Sequence, residues 1–283
     1  MFFDSHCHLT SEQLAPDFQN VLQRAQDSGV IGFLNIGDDI NSSRAACHQA
    51  ASVSTAGIGM WATVGVHPQH ALEYCLSGAQ GTADELRALA AREKVCAIGE
   101  IGLDFVYDDS HSEYPGASRD VQEAVLIDQL QLAGELRLPI VIHNRAADER
   151  LLAVVTEYRH LIKGGVFHCF GSAPEIARRV LDLDFYLGFT GLITFKNAEE
   201  VRSAAKLCPL NRLLIETDSP YLAPVPYRGK INEPSYLPRV AETMAVLHNI
   251  SVEELAAITT RNAVEIFNLD YGEFTHEQPT GRS

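Results

Sequence analysis

Basic residues are scarce in this sequence of 283 residues. Lysine and arginine number 22 against 37 aspartates and glutamates, which gives a formal net charge of −15. This balance excludes a broad electropositive surface of the kind that holds nucleic acid by charge alone. It still allows an enzyme that grips one or two phosphates through bound cations. The charge therefore argues against a static nucleic-acid binder more than against an enzyme that acts on nucleic acid.

Paired cysteines, long apolar runs and a secretion signal are also missing. The six cysteines form no C-x-x-C pair, so neither a zinc ribbon nor a disulfide framework is indicated. No stretch approaches the ~18 uninterrupted apolar residues of a membrane helix. Met1–Leu9 lacks the basic flank and apolar run of a signal peptide. We expect a soluble, cytoplasmic chain with buried cysteines, no membrane contact and no stable protein partner.

Apolar runs bounded by turn residues recur along the chain, and each is followed by a segment with helical spacing. Eight runs predict strands at Phe2–Ser5, Gly32–Ile36, Trp61–Val66, Val95–Gly99, Ile140–His143, Gly165–His168, Phe185–Gly188 and Leu213–Glu216. The predicted helices are Asp17–Ser28, Asn41–Val53, Ala83–Arg92, Arg119–Leu136, Ala147–Tyr158, Pro174–Leu181, Asn197–Lys206 and Pro234–Leu247. A further helix is predicted at Ser251–Phe267, with Ser251 and Glu254 at capping-box spacing.

Eight β-α alternations predict an α/β fold, which is either a closed (β/α)8 barrel or an open doubly wound sheet. The positions of the polar residues favour the barrel, because histidines and acidic residues interrupt the apolar runs where most strands end. In a closed barrel these strand ends surround one cavity. We therefore predict a single TIM-type (β/α)8 barrel over residues 1–270, with the extra C-terminal helix, and a polar tail over 271–283. The interrupting residues are Asp4, His6, His8, His67, Glu100, His143, His168 and Asp218.

Three of these positions indicate a metal site. His6 and His8 alternate with Cys7, and the period of two in an extended chain directs both imidazoles to one side. Imidazole with carboxylate favours zinc, manganese, iron or cobalt. Glu100 follows Gly99 and has two oxygens, so it can bridge two cations ~3.5–4 Å apart. The alternative for Glu100 is a cap on the following loop.

The sequence resembles the TatD family of metal-dependent hydrolases, within the amidohydrolase-like barrels, over nearly its whole length. The resemblance rests on motifs that occur in a fixed order. They are Asp4-Ser5-His6-Cys7-His8-Leu9, Gly65-Val66-His67-Pro68, Gly99-Glu100-Ile101-Gly102-Leu103-Asp104, Ile142-His143-Asn144-Arg145, His168-Cys169-Phe170, Gly191-Leu192-Ile193-Thr194-Phe195-Lys196-Asn197-Ala198, Glu216-Thr217-Asp218-Ser219-Pro220-Tyr221-Leu222-Ala223-Pro224, Arg228-Gly229-Lys230 and Thr260-Arg261-Asn262-Ala263.

The resemblance implies two divalent metal ions per subunit, with zinc, manganese and magnesium as candidates. His6, His8, Glu100 and Asp218 would hold the first, and Glu100, His143 and His168 the second. It implies a 3′-5′ exodeoxyribonuclease on single-stranded DNA, with RNA as a further substrate, that uses an activated water. An amide or ester hydrolase such as a D-aminoacyl-tRNA deacylase is the alternative on the same metals. A catalytically silent, partner-binding barrel is less favoured.

Further residues are assigned roles at the expected cavity. Glu100 and Asp218 are the candidate catalytic residues, with Asp218 either a general base or an electrostatic ligand. Asp4 and Asp104 are expected to hydrogen-bond the ligating histidines. His67, Arg145 and Arg228 are predicted substrate contacts, and Tyr107, Tyr221 and Tyr227 are candidate stacking partners for bases. The loop Phe105–Ser118 is longer than the family pattern and is expected at the mouth.

Overall fold

The eight predicted strands form one parallel sheet. The structure is a computed structural model that describes residues 1–53, 57–108, 110 and 116–270, so the predicted tail and much of the loop Phe105–Ser118 lie outside the described residues. The strands are β1 (Phe2–Cys7), β2 (Val30–Asn35), β3 (Gly59–Val64), β4 (Val95–Asp104), β5 (Ile140–Arg145), β6 (Gly165–Phe167), β7 (Tyr186–Phe189) and β8 (Leu213–Ile215). They pair in sequence order from β1 to β8.

The segment after β8 closes the sheet against β1. Cys7 pairs in parallel with Ser219. The backbone N–H of Asp218 donates to the carbonyl of His6 (2.9 Å), and the N–H of His8 donates to that of Ser219 (2.8 Å). These bonds confirm the predicted (β/α)8 barrel and bring Asp218 beside the two histidines of β1.

The described part of the chain forms ten α-helices around the strands. They are α1 (Phe18–Asp27), α2 (Ile40–Ser52), α3 (Ala71–Leu76), α4 (Ala79–Ala90), α5 (Arg119–Leu136), α6 (Asp148–Glu157), α7 (Pro174–Asp182), α8 (Glu199–Leu207), α9 (Leu237–His248) and α10 (Val252–Phe267). Nine correspond to predicted helices, and α3 is additional. The capping box expected at α10 is half formed: the Ser251 hydroxyl accepts the N–H of Glu254. Among the described residues, no helix is long and apolar enough to cross a membrane.

Two apolar layers hold the barrel together. The larger one lies between strands and helices, where alternate strand residues such as Met60, Ala62 and Val64 pack. The second fills the lower barrel interior with Trp61, Val141, Leu214 and other buried side chains, and Phe267 of α10 packs into it. The extra helix therefore plugs the end of the barrel where the strands begin.

The polar residues lie on the same inner face of the barrel as this second apolar layer, nearer the carboxyl ends of the strands. His143 follows Val141 by two residues, and Glu216 follows Leu214 by two, so each points to the same side as its apolar predecessor. The barrel interior thus changes from apolar at the start of the strands to titratable at their carboxyl ends. This is the end at which barrel enzymes carry their active sites.

Candidate metal centre

One oxygen of Glu100 lies among the ligands predicted for the first metal. Oε2 is 3.3 Å from Nε2 of His6 and 3.5 Å from Nε2 of His8. The two imidazole nitrogens are 3.1 Å apart, and Oδ1 of Asp218 is 3.7 Å from His6 and 3.5 Å from His8. Cys7, between the two histidines, points away and donates its thiol to the carbonyl of Leu34. The alternation read from the sequence is therefore confirmed.

The other oxygen of Glu100 faces the ligands predicted for the second metal. Oε1 is 2.9 Å from Nδ1 of His143 and 2.7 Å from Nε2 of His168, and these two nitrogens are 3.4 Å apart. Glu100 is 3% exposed, so its two oxygens face protein groups rather than bulk water. One buried carboxylate thus joins two sets of imidazoles.

The spacing of these atoms fits metal coordination. Ligand atoms ~2.0–2.1 Å from a tetrahedral zinc ion lie roughly 3.3–3.4 Å from one another. The five distances given for the first set range from 3.1 to 3.7 Å, which brackets this value. The second set, at 2.7–3.4 Å, is slightly tighter. The donor types and their separations therefore fit divalent cations.

Acidic residues face the outer nitrogens of three histidines. Oδ2 of Asp104 is 3.4 Å from Nε2 of His143, and Oε1 of Glu216 is 3.4 Å from Nδ1 of His168. Asp38 lies 4.0 Å from Nδ1 of His8. A carboxylate at this place orients the imidazole and makes its inner nitrogen a better ligand. The role predicted for Asp104 agrees with this geometry.

Asp4 behaves differently from the prediction. Its buried carboxylate accepts the hydroxyl of Thr217 (2.6 Å) and the N–H of Thr217 (2.9 Å), and it reaches only the backbone N–H of His6 (3.4 Å). Burial raises the pKa of Asp4 to about 7, although the bonds from Thr217 oppose this shift. Asp4 therefore fastens β1 to the segment after β8 instead of bonding an imidazole.

The carboxylate and the imidazoles of the candidate metal centre have strongly shifted pKa values. Burial alone raises the pKa of Glu100, but the imidazoles of His168, His67 and His6 outweigh it and hold the pKa well below its usual range. Burial lowers the pKa of His168, yet Glu100 and Glu216 raise it well above the ordinary histidine value. Glu100 is thus ionised at neutral pH, and without a cation the positive charge that balances it resides on imidazole.

His67 lies at the second set but is arranged differently from the ligands. Its Nε2 is 3.6 Å from Oε1 of Glu100. Its Nδ1 accepts the backbone N–H of Gln69 at 3.1 Å. Burial and the neighbouring His143 hold the pKa of His67 well below the ordinary value, so the ring is neutral. A neutral imidazole that accepts at Nδ1 carries its proton on Nε2, and His67 therefore presents an N–H donor to the site.

A cavity of about 1120 Å³ opens above the cluster. Five predicted ligands line its floor together with His67, while Arg145, Tyr107 and Tyr221 lie at its wall. Two predicted contacts lie elsewhere: the guanidinium carbon of Arg228 is 3.9 Å from the ring centroid of Phe195, and Tyr227 stacks on Tyr236 at 4.0 Å. Two acidic residues that face the histidines, Glu216 and Asp38, were not predicted from the sequence.

Known proteins resemble this chain over almost its whole length. Residues 3–268 match the family model described as TatD related DNase. An uncharacterized metal-dependent hydrolase of Bacillus subtilis (strain 168), YabD, is 40% identical over 95% of this chain and its own whole length. The 3′-5′ ssDNA/RNA exonuclease TatD of Erwinia tasmaniensis is 38% identical over 94% of this chain and its own whole length.

A solved structure shows the same fold. The crystal structure of YjjV, a TatD homolog from Escherichia coli K12, superposes with a TM-score of 0.84 at 26% identity and covers 95% of this chain and 98% of its own. The matches extend over almost the entire barrel, including every strand that carries a candidate ligand. By sequence and by fold, the chain belongs to the TatD family of metal-dependent hydrolases.

Proposed function

We propose that this protein is a 3′-5′ exonuclease on single-stranded DNA, with RNA as a further substrate, and that it works with two divalent metal ions. The observation that carries the proposal is Glu100, whose two oxygens face two separate sets of imidazoles on the floor of an open cavity. Zinc, manganese and magnesium are the candidate metals. The direction of cleavage and the substrate follow relatives that are named for this activity.

The chain would hold the metals and move protons with separate groups. His6, His8, Glu100 and Asp218 hold one ion, and Glu100, His143 and His168 hold the other. When bound, the cations supply positive charge that polarises a phosphodiester and makes water more acidic. Contacts with His8, His6 and His168 outweigh the effect of burial and lower the pKa of Asp218. Asp218 is therefore ionised at neutral pH and can take the proton of the attacking water.

Substrate would be held by groups at and above the floor. His67 directs its Nε2–H into the cavity, where it can donate to a phosphate oxygen. Arg145 is an exposed residue at the wall with its guanidinium carbon 5.1 Å from the ring centroid of Tyr107, and charge-assisted bonds from arginine to phosphate are strong. Tyr221 is 54% exposed with its ring 6.0 Å from that of His8, so a terminal base can stack on it. Arg228 stays a predicted contact for nucleotides further from the cut.

The test is degradation of a single-stranded oligonucleotide that carries its label at the 5′ or the 3′ end, with manganese, magnesium or zinc added. We expect the 3′-labelled nucleotide to be released first, and H143A and E100A to lose this activity. H160A is the matched control, because His160 is exposed and bonds only the carbonyl of Glu157 among the contacts described for it.

Amide and ester substrates, including a D-aminoacyl-tRNA, belong in the same assay. Turnover of these substrates without oligonucleotide cleavage would replace the nuclease by a carbonyl hydrolase. Retained nuclease activity in H143A and E100A would refute the proposed site. We also propose the cytoplasm as the location, on the sequence grounds given above.

A further inference from the structure

A carboxylate beneath the metal centre has no part in the proposed mechanism. Glu216 is fully buried at the inner face of the barrel, directly after β8 and two residues before Asp218. We propose that Glu216 is a positioning residue that fixes the tautomer and orientation of His168 for metal binding. The inference rests on the proposed two-metal function, because it assigns a role toward a ligand of the second ion.

Three neighbouring segments contact the Glu216 side chain. Its Oε1 accepts the backbone N–H of Cys169 at 2.5 Å, and the Ser5 hydroxyl lies 3.2 Å from Oε2 and 3.1 Å from the carbonyl oxygen of Ile215, so these two acceptors share its one hydrogen. Gly188 of β7 lies so close that a Cβ atom there would be 2.3 Å from Oε2. The glycine on the neighbouring strand thus makes room for a carboxylate that is held mainly by the segment after β6.

The fixed carboxylate faces the outer nitrogen of His168. Nδ1 of His168 is buried without a hydrogen-bond partner among the described residues, and the acceptor that faces it is Oε1 of Glu216, 3.4 Å away. The opposite nitrogen, Nε2, is the one that points at Glu100. A neutral imidazole has one N–H and one lone pair. An acceptor at Nδ1 therefore places the proton there and leaves the Nε2 lone pair for a cation.

Glu216 also reaches the histidine of the first set. The rings of His6 and His168 stack with centroids 3.8 Å apart at 10°. A ring nitrogen from each histidine and an oxygen of Glu216 all lie within 4.8 Å of one another. The same trio would be a place for a third cation, but Oε1 of Glu216 already accepts the N–H of Cys169. Glu216 therefore faces His168 as a hydrogen-bond acceptor and lies near His6 without a hydrogen bond to it among the described residues.

The experiment uses the zinc-loaded enzyme, with imidazole nitrogens labelled by ¹⁵N, and compares wild type with E216L, E216Q and S5A. Long-range proton–nitrogen spectra identify the His168 ring nitrogen that carries hydrogen, and competition with a chelator gives the affinity for the second zinc ion. We expect a downfield, exchange-protected Nδ1–H of His168 in the wild type. In E216L this resonance should move upfield and exchange rapidly, and affinity should fall about 10–100-fold.

E216Q and S5A separate positioning from general support of the fold. Glutamine keeps an acceptor of the same size but removes the charge, so its His168 resonance should move part of the way and affinity should fall less than in E216L. S5A removes another contact of Glu216 and should leave the resonance in place. If E216L does not fold, E216Q alone provides the test. An unshifted His168 Nδ1–H resonance in E216Q would then overturn the proposed role of Glu216.

The outcomes also separate this inference from the proposed function. A wild type that takes up fewer than two zinc ions would refute the two-metal function itself. Two bound ions with identical His168 resonances in wild type and E216L would refute only the role of Glu216. A third zinc ion in the wild type that is lost in E216Q would show that the trio is a metal site instead.

Discussion

The histidines at the barrel mouth differ in which nitrogen faces the cavity and which faces an acid. His143 turns Nδ1 inward and Nε2 toward Asp104, whereas His168 turns Nε2 inward and Nδ1 toward Glu216. Burial lowers the pKa of His143, but its bonds to Asp104 and Glu100 outweigh this and raise the pKa. Both imidazoles of the second set therefore hold protons more tightly than a free histidine does.

Metal binding must displace those protons, because an imidazolium has no lone pair to offer. Because the pKa values of His143 and His168 are raised, protons begin to compete with the metal ion at pH values above 6.5, the ordinary pKa of histidine. Affinity for the second ion should fall as pH falls through this range, by about tenfold per pH unit for each proton displaced. Calorimetry in buffers of different ionisation enthalpy measures the protons released, and binding without proton release near neutral pH would contradict the account.

His67 should act on substrate without holding metal, because its Nδ1 is occupied by the N–H of Gln69 and its Nε2 carries the proton. In H67A we expect unchanged metal content and a fall in kcat of about 10²–10³, the cost of removing one preorganised donor. Q69A is the control, since it keeps the backbone N–H that fixes the tautomer. Loss of a metal ion in H67A would make His67 a ligand instead.

The sequence predicted the candidate ligands that meet at the barrel mouth but not all of the acidic residues that face them. His6, His8, Glu100, His143, His168 and Asp218 could be predicted, because each interrupts an apolar run at the same end of its strand. Glu216 was not assigned a role, since its spacing after Leu214 places it on the inner face but only the folded barrel shows that it faces Nδ1 of His168. Asp38 lies in a loop whose path toward His8 depends on barrel closure.

At the scale of elements, prediction succeeded where local signals were strong. Helix α5 has the predicted bounds, and the Ser118 hydroxyl caps it by accepting the N–H of Val121. Helix α3 was missed because it has six residues and buries only Ala71 and Tyr74 while Leu72 and Leu76 are exposed, so it is too short to show a helical period in the sequence. Helix α9 begins three residues later than predicted, since Pro234–Tyr236 forms a 3-10 turn.

Helix α10 should contribute to stability through the plug it forms below the metal centre. Phe267 is 2% exposed and packs into the inner apolar cluster. We expect F267A to lower the free energy of unfolding of the metal-free protein by about 3–5 kcal/mol, from lost burial and the cavity left behind. In V246A, at a side chain that is 80% exposed on α9, the change should stay within about 0.5 kcal/mol. Urea unfolding measures both, and equal midpoints would show that α10 is not a plug.

Across the whole molecule, the ligands are distant in sequence and meet only because the barrel closes. His6 and Asp218 come from opposite ends of the chain and are joined by backbone bonds between β1 and the segment after β8. The net charge of −15 leaves few basic groups at the cavity, so cations on the floor would supply much of the attraction for phosphate. Fold closure, metal binding and substrate binding are therefore linked.

The two-metal site is tested most directly by measuring the number of metal ions bound per chain. Each protein is loaded with zinc and then freed of excess metal. The proteins are wild type, E100Q, the H6A/H8A double variant, H143A and the control H160A. Because the two oxygens of Glu100 face the two sets of candidate ligands, we predict about two ions in wild type and H160A, about one in H6A/H8A and in H143A, and fewer than one in E100Q. Two ions retained in E100Q would contradict the central claim that one carboxylate joins two metal sites.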